Sequence, residues 1–135
     1  VAMFLPSLIT GHLIKKFGYS NIMYVGVLFY LITIILSLFD QTFFNYFLSL
    51  IFLGVGWNFL FISGTSLVVL TYKEEEKFRA QGMNDLIVYS AMALASLSAG
   101  VLLSFTGWKT MNLFCLPLLI LTTYMTFRAD RLSNN

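Results

Sequence analysis

"FLGVGWNFLFISGTSLVVL", residues 52–70, carries no charge and is long enough as a helix to cross most of a bilayer's hydrocarbon core, about 30 Å thick. Yet it holds Trp57, Asn58, Ser63, Thr65, Ser66 and three glycines. A helix in lipid satisfies its own backbone, but a side-chain amide turned toward hydrocarbon keeps a donor and an acceptor unpaired. Asn58 must therefore face protein or water. At helical spacing Gly54, Asn58, Phe61 and Thr65 fall on one stripe. Gly56 and Gly64 lie on a neighbouring line, where the absence of a Cβ lets another backbone come close. Asn58 is thus open to two readings, a helix-packing contact or a contact with solute.

The rest of the chain repeats the pattern. Hydrophobic residues make up 59% and charged residues 10% of the 135, with a mean hydropathy of +0.84. One aqueous core cannot hide that much apolar surface, so the fold expected is an all-α polytopic bundle of transmembrane helices, one domain over residues 1–135. Four complete spans are expected, at about 19–39, 43–70, 82–105 and 108–127. A fifth apolar run, 1–14, would reach only about 21 Å as a helix. It reads as the end of a span whose beginning lies outside the sequence, since neither a basic leader nor a small-residue cleavage site marks a signal peptide.

Basic residues orient the spans. Alternating connections put Lys15, Lys16, Lys73, Lys77, Arg79, Arg128 and Arg131 on one side and only Lys109 on the other. That asymmetry makes the first side, with the C-terminus, cytoplasmic. The net charge of +2 therefore reports orientation. Nucleic acid is not an expected partner, because the basic side chains are spread over three segments rather than gathered on one face.

Local signals set the boundaries. Gly18 is expected to end a helix in the left-handed conformation and Ser20 to N-cap the next. Asp40-Gln41-Thr42 and Thr106-Gly107-Trp108 read as tight outer turns. The stretch KEEEKFRAQ, 73–81, reads as a small solvated surface helix with Glu75 and Arg79 at i, i+4. Asp85, placed about three residues into the next helix, would face the positive end of that helix's dipole. Within 82–105, Ala91, Ala95 and Ala99 recur every four residues, with Met92, Ser96 and Gly100 as a parallel row. These rows read as packing seams. The single cysteine, Cys115, and single histidine, His12, lie in no ligand-spaced cluster, so no metal and no cofactor is expected. No Walker A loop, GxSxG elbow or HExxH pair occurs, so an enzyme is not expected.

Three stretches carry a resemblance. "GHLIKKFGYSNIMYVG", 11–26, is similar to the inner-loop motif of the major facilitator superfamily, which runs Gly, three residues, Asp, basic, any, Gly, any, basic. Gly11, Lys16 and Gly18 match, Lys15 replaces the Asp, and Tyr19-Ser20-Asn21 replaces the basic tail. "AGVLLSFTGWKTMN", 99–112, resembles that family's Gly-Trp-basic helix opening. "LGVGWNFLFISGTSLV" followed by "RAQGMND" resembles bacterial transporters of the same family. The resemblance implies helices eight to twelve of a twelve-helix fold, because the loop motif is degraded as in the second copy and "RADRLSNN" ends like a terminus.

The resemblance further implies secondary transport of a small solute by alternating access, with a site near the bilayer midplane between two halves. The partners would be the missing N-terminal half, the solute, a coupling proton and the lipid of a bacterial inner membrane. Asn58, Thr65 and Asn84 are the candidates to line the cavity. Because Lys15 stands where the family carries an acid, Asp85 is the candidate to pair with Lys15 or Lys16 as a reversed inner gate. The alternative is a non-transporting helix-packing module.

Overall fold

The computed structural model describes residues 3–39, 42–73 and 75–133. These are helical apart from short turns: α1 (Ser7–Phe17), α2 (Tyr19–Phe39), α3 (Phe43–Thr71) and α4 (Lys77–Ser133). The fold is all-α, and among the described residues three helices are long and apolar enough to cross a membrane. The four expected spans map onto these three helices because α4 is bent. Gly107, at φ 73° and ψ 170°, lies inside α4 and divides it into arms 77–106 and 108–133, about 45 and 39 Å long.

The packing shows which ends lie together. Trp108 stacks edge-on against Tyr46 near the start of α3, with ring centroids 5.2 Å apart. At the other end Tyr124 and Phe127 share a groove with Tyr24 of α2. The second arm therefore runs antiparallel to α2, and the first arm, which packs beside the end of α3 at Val68 and Tyr72, runs back the other way.

Several boundary expectations are corrected. Gly18 does have a positive φ, 84°, but its ψ of 160° is extended rather than left-handed helical. Ser20 is not an N-cap, since α2 already begins at Tyr19. The side chain that closes this corner is Asn21, whose Nδ2 donates to the Phe17 carbonyl at 2.8 Å. The charged stretch does not form a separate surface helix: Glu75 and Glu76 are in a turn, and Lys77 onward belongs to α4. Asp85 consequently sits two turns inside α4, beyond reach of the helix-start dipole. Asp40 and Gln41 of the first outer turn lie outside the described residues.

The α2–α3 pair is the closest contact of the bundle. Gly26 and Gly56 face each other: a Cβ on Gly56 would lie 3.0 Å from the Gly26 carbonyl oxygen, and one on Gly26 would lie 3.1 Å from the Gly56 carbonyl oxygen. The glycines let two backbones meet where any side chain would hold them apart. Around this point Phe29 of α2 packs against Phe52 and Phe59 of α3, with centroids 5.5 and 5.9 Å away. Ile14, Ile22 and Phe59 form one small core, and Val27, Ile34 and Leu119 tie the second arm of α4 to α2. No residue of 77–106 is buried.

Candidate functional site

Among the described residues, two places inside this apolar bundle bring polar groups of different helices together. The first joins α1 to α3 at Asn58, which is buried. Its Nδ2 donates to the Met3 carbonyl at 2.8 Å, and this fixes the amide so that Oδ1 faces Thr10. Thr10, with no exposed surface, has its Oγ1 2.6 Å from Asn58 Oδ1 and 2.8 Å from the Pro6 carbonyl. A hydroxyl has one proton, so the two acceptors share it. Such a knot satisfies the amide away from water and links two helices that otherwise meet lightly.

In this conformation the Asn58 amide is satisfied within the chain, as the packing reading expects. Replacing Asn58 with Leu should lower the thermal stability of the membrane-extracted protein, by about 0.6–2 kcal/mol for the interhelical bonds lost. A double-mutant cycle with Thr10→Ala checks it. The two changes should be strongly non-additive, and additive losses would show that the bond contributes nothing.

The second place is a cleft of about 310 Å³ between α2, the start of α3 and the start of the second arm of α4. Thr33, Ser37, Ser49, Asn112 and Trp108 supply its polar lining, and Tyr30 adds a phenol. Thr33 and Ser37 are four residues apart on α2 and so share a face. Thr33 Oγ1 reaches the Phe29 carbonyl at 2.9 Å and, across the helices, the Ser49 carbonyl at 3.3 Å. Asn112 uses its Nδ2 on the Trp108 carbonyl at 2.9 Å. The Trp108 indole Nε1 is buried without a hydrogen-bond partner. A donor left unpaired in such surroundings costs about 1–3 kcal/mol, and because Nε1 is itself covered, an acceptor reaches it only after neighbouring side chains shift. No charged side chain lines this cleft. It suits a neutral group that accepts and donates hydrogen bonds.

A wider cavity, about 660 Å³ and open to solvent, lies where α3 passes into α4; Glu75, Glu76, Arg79 and Asn84 line it. Asn84 Nδ2 also lies 3.5 Å from Asp85 Oδ1. Thr65 bonds backward to the Phe61 carbonyl at 2.7 Å and lines none of these cavities. The three cavity candidates are thus not brought together within this chain. Nor are Lys15 and Lys16 brought to Asp85, because α1 and α4 make no contact. The seam residues divide in the same way. Gly56 meets α2, whereas Gly64 and Gly100 have nothing within 4 Å of where a Cβ would stand. Gly54 is half-buried; Ala91, Ala95 and Ser96 are exposed, and Ala99 is half-buried.

Sequence reasoning passed over Thr10, Gly26, Thr33, Ser49 and Asn112. A signal existed for one of them: Asn112 is an amide within an apolar run, the same cue that singled out Asn58. Among the described residues no three His, Cys, Asp or Glu side chains come together in a group able to hold a metal.

The comparisons with known proteins agree with this architecture. A riboflavin transporter of Brucella anthropi, RfnT, is 40% identical over 121 residues, which cover 90% of this chain and 30% of that protein. Two MFS-type transporters of Bacillus subtilis, YdeG and YddS, are 27% and 25% identical over 114 residues, 83% of this chain and 26% of each relative. The chain thus spans less than a third of the length of these relatives. No solved structure matches it. The family model described as Major Facilitator Superfamily matches residues 1–134. With apolar antiparallel helices, glycine-mediated packing and a match along nearly its whole length, the chain belongs to the major facilitator superfamily.

Proposed function

We propose that this chain is part of the C-terminal half, helices eight to twelve, of a secondary transporter that carries a flavin across the membrane by alternating access. The observation that carries the reading is the 40% identity to a riboflavin transporter over 90% of the chain. Chemistry supports it: the polar groups of the outer cleft are hydroxyls, an amide and an indole N–H, with no charge among them. Riboflavin is a flat, neutral ring system with a polyhydroxyl tail, and it needs such partners rather than an ion pair. The exposed first arm of α4, with its Ala91, Ala95 and Ala99 row, is the face on which the N-terminal half would close. A proton is the proposed coupling ion, the C-terminus faces the cytoplasm, and the membrane is a bacterial inner membrane.

The test is uptake of radiolabelled riboflavin by cells that lack their own riboflavin synthesis and transport and express the intact protein. Saturable uptake, competed by unlabelled riboflavin and reduced when the proton gradient is dissipated, is the expected result. No uptake from a protein shown to be in the membrane would overturn the flavin assignment.

The gate is read in the same system. The Lys15 or Lys16 pair with Asp85 is open in this structure, so it would form only when the inner side closes. A pair at the water boundary contributes on the order of 1 kcal/mol, or about fivefold in a two-state ratio. In Asp85→Asn, and in Lys15→Gln with Lys16→Gln, a cysteine probe on the inner side should become more accessible, and combining all three should add little. Additive effects would remove the gate.

A further inference from the structure

A groove of about 510 Å³ runs along the outside of the bundle between α2 and the second arm of α4. Its walls are Tyr24, Leu31, Leu116, Ile120, Tyr124 and Phe127 among others, and almost all of the lining is apolar. From Leu116 to Phe127 it follows about 16 Å of helix, half the thickness of the hydrocarbon core, so it spans one leaflet. Ile120, Tyr124 and Phe127 are 69%, 52% and 45% exposed, so the groove opens outward from the chain.

Its chemistry changes along its length. Leu116, Ile120 and Tyr124 recur every four residues on one face of the arm, and Phe127 and Arg131 continue that face. The order is aliphatic, then aromatic, then cationic, which is the bilayer's own sequence of acyl chains, interface and headgroups. Arg131 is held at the mouth, with its guanidinium carbon 4.7 Å from the centre of the Phe127 ring. Arg128 is exposed one residue beyond Phe127, and Lys15 and Lys16 end α1 at the same membrane surface.

We propose that this groove binds an anionic phospholipid of the leaflet on the Lys15 and Arg131 side, with an acyl chain along Leu116 and Ile120 and the phosphate at Arg128 and Arg131. The charge selects the occupant: a zwitterionic lipid fills the apolar part equally but gains little from two arginines. Each arginine near the surface should favour the anionic lipid about fivefold, and Asp130 between them opposes this, so the two together should give less than the roughly thirtyfold product. The site does not depend on which solute is carried.

The test is native mass spectrometry of the intact protein, extracted in mild detergent and offered phosphatidylglycerol or phosphatidylcholine. Retention of phosphatidylglycerol well above phosphatidylcholine is expected, and the preference should fall several-fold in Arg128→Gln with Arg131→Gln. Ile120→Trp, which fills the groove from an exposed position, should reduce retention of both lipids. Equal retention of the two lipids, or an unchanged preference in the double Gln protein, would overturn the proposal. Access is checked separately with Ile120→Cys in a Cys115→Ser background. Labelling by a membrane-soluble maleimide is expected. Full protection would show that another helix of the transporter covers the groove and would overturn it too.

Discussion

Leucine at Gly56, or at Gly26, should leave little folded protein in the membrane. A Cβ on Gly56 would stand 3.0 Å from the Gly26 carbonyl oxygen, 3.2 Å from Phe29 Cβ and 3.3 Å from Tyr30 Cδ1. The nearest of these is backbone, which cannot swing aside, so α2 and α3 would have to separate. That would spread the Phe29, Phe52 and Phe59 packing on the same seam. Overpacking of this kind costs about 1–3 kcal/mol, and a leucine between two backbones belongs at or above the upper end.

Alanine grades the effect. Gly26→Ala meets Leu60 Cγ at 2.9 Å, a side-chain atom able to move, but also the Gly56 carbonyl at 3.1 Å, and it should be milder than leucine. Gly64→Ala meets nothing within 4 Å in this chain and, with alanine's better helix propensity, should be neutral or slightly stabilising. The measurement is the monodisperse fraction and melting temperature of detergent-extracted protein. Equal losses at Gly56→Leu and Gly64→Ala would mean that the α2–α3 approach is not what the glycines serve.

The second large effect is all or none. Residues 1–135 reconstituted alone in liposomes should give no riboflavin flux above empty vesicles, while the intact transporter in the same lipid should accumulate it. On the proposed reading the solute site forms where two halves meet, and this chain holds part of only one. Its own geometry agrees: Asn58, Thr65 and Asn84 point to three different places, and no residue of 77–106 is buried. On the same reading the exposed face that carries Ala91, Ala95 and Ser96 is where the other half would pack. Flux from residues 1–135 alone would refute the two-half site.

Much of the architecture was legible from local chemistry. Apolar length and charge placement decide where helices cross a membrane, because unpaired backbone groups are not tolerated in hydrocarbon and charges are expelled from it. Hence α2 occupies 19–39 as expected, and α3 runs from 43 to 71 against an expected 43–70. The bend at Gly107 was also readable, since only glycine adopts φ 73° without strain. The start of α4 was not: charged residues suit a solvated turn and the first turn of a long helix equally well, and only the helix itself shows that Lys77 belongs to it.

The candidate site was less legible, for a different reason. Sequence periodicity marks a stripe on a helix but is silent about what that stripe meets. The sequence by itself determined that Asn58 needed partners, that the chain is an all-helical membrane bundle, and that small residues line its helices. Only the tertiary structure decided that the amide's partners are Thr10 and the Met3 carbonyl on the segment leading into α1, 48 and 55 residues away. It also paired Gly56 with Gly26 while leaving Gly64 open, and it set Trp108, Asn112, Thr33 and Ser49 around one cleft. Burial and hydrophobicity act locally along the chain and are written into composition. Hydrogen bonds and close backbone approach act between helices, and they are settled only when rotation and tilt bring particular faces together.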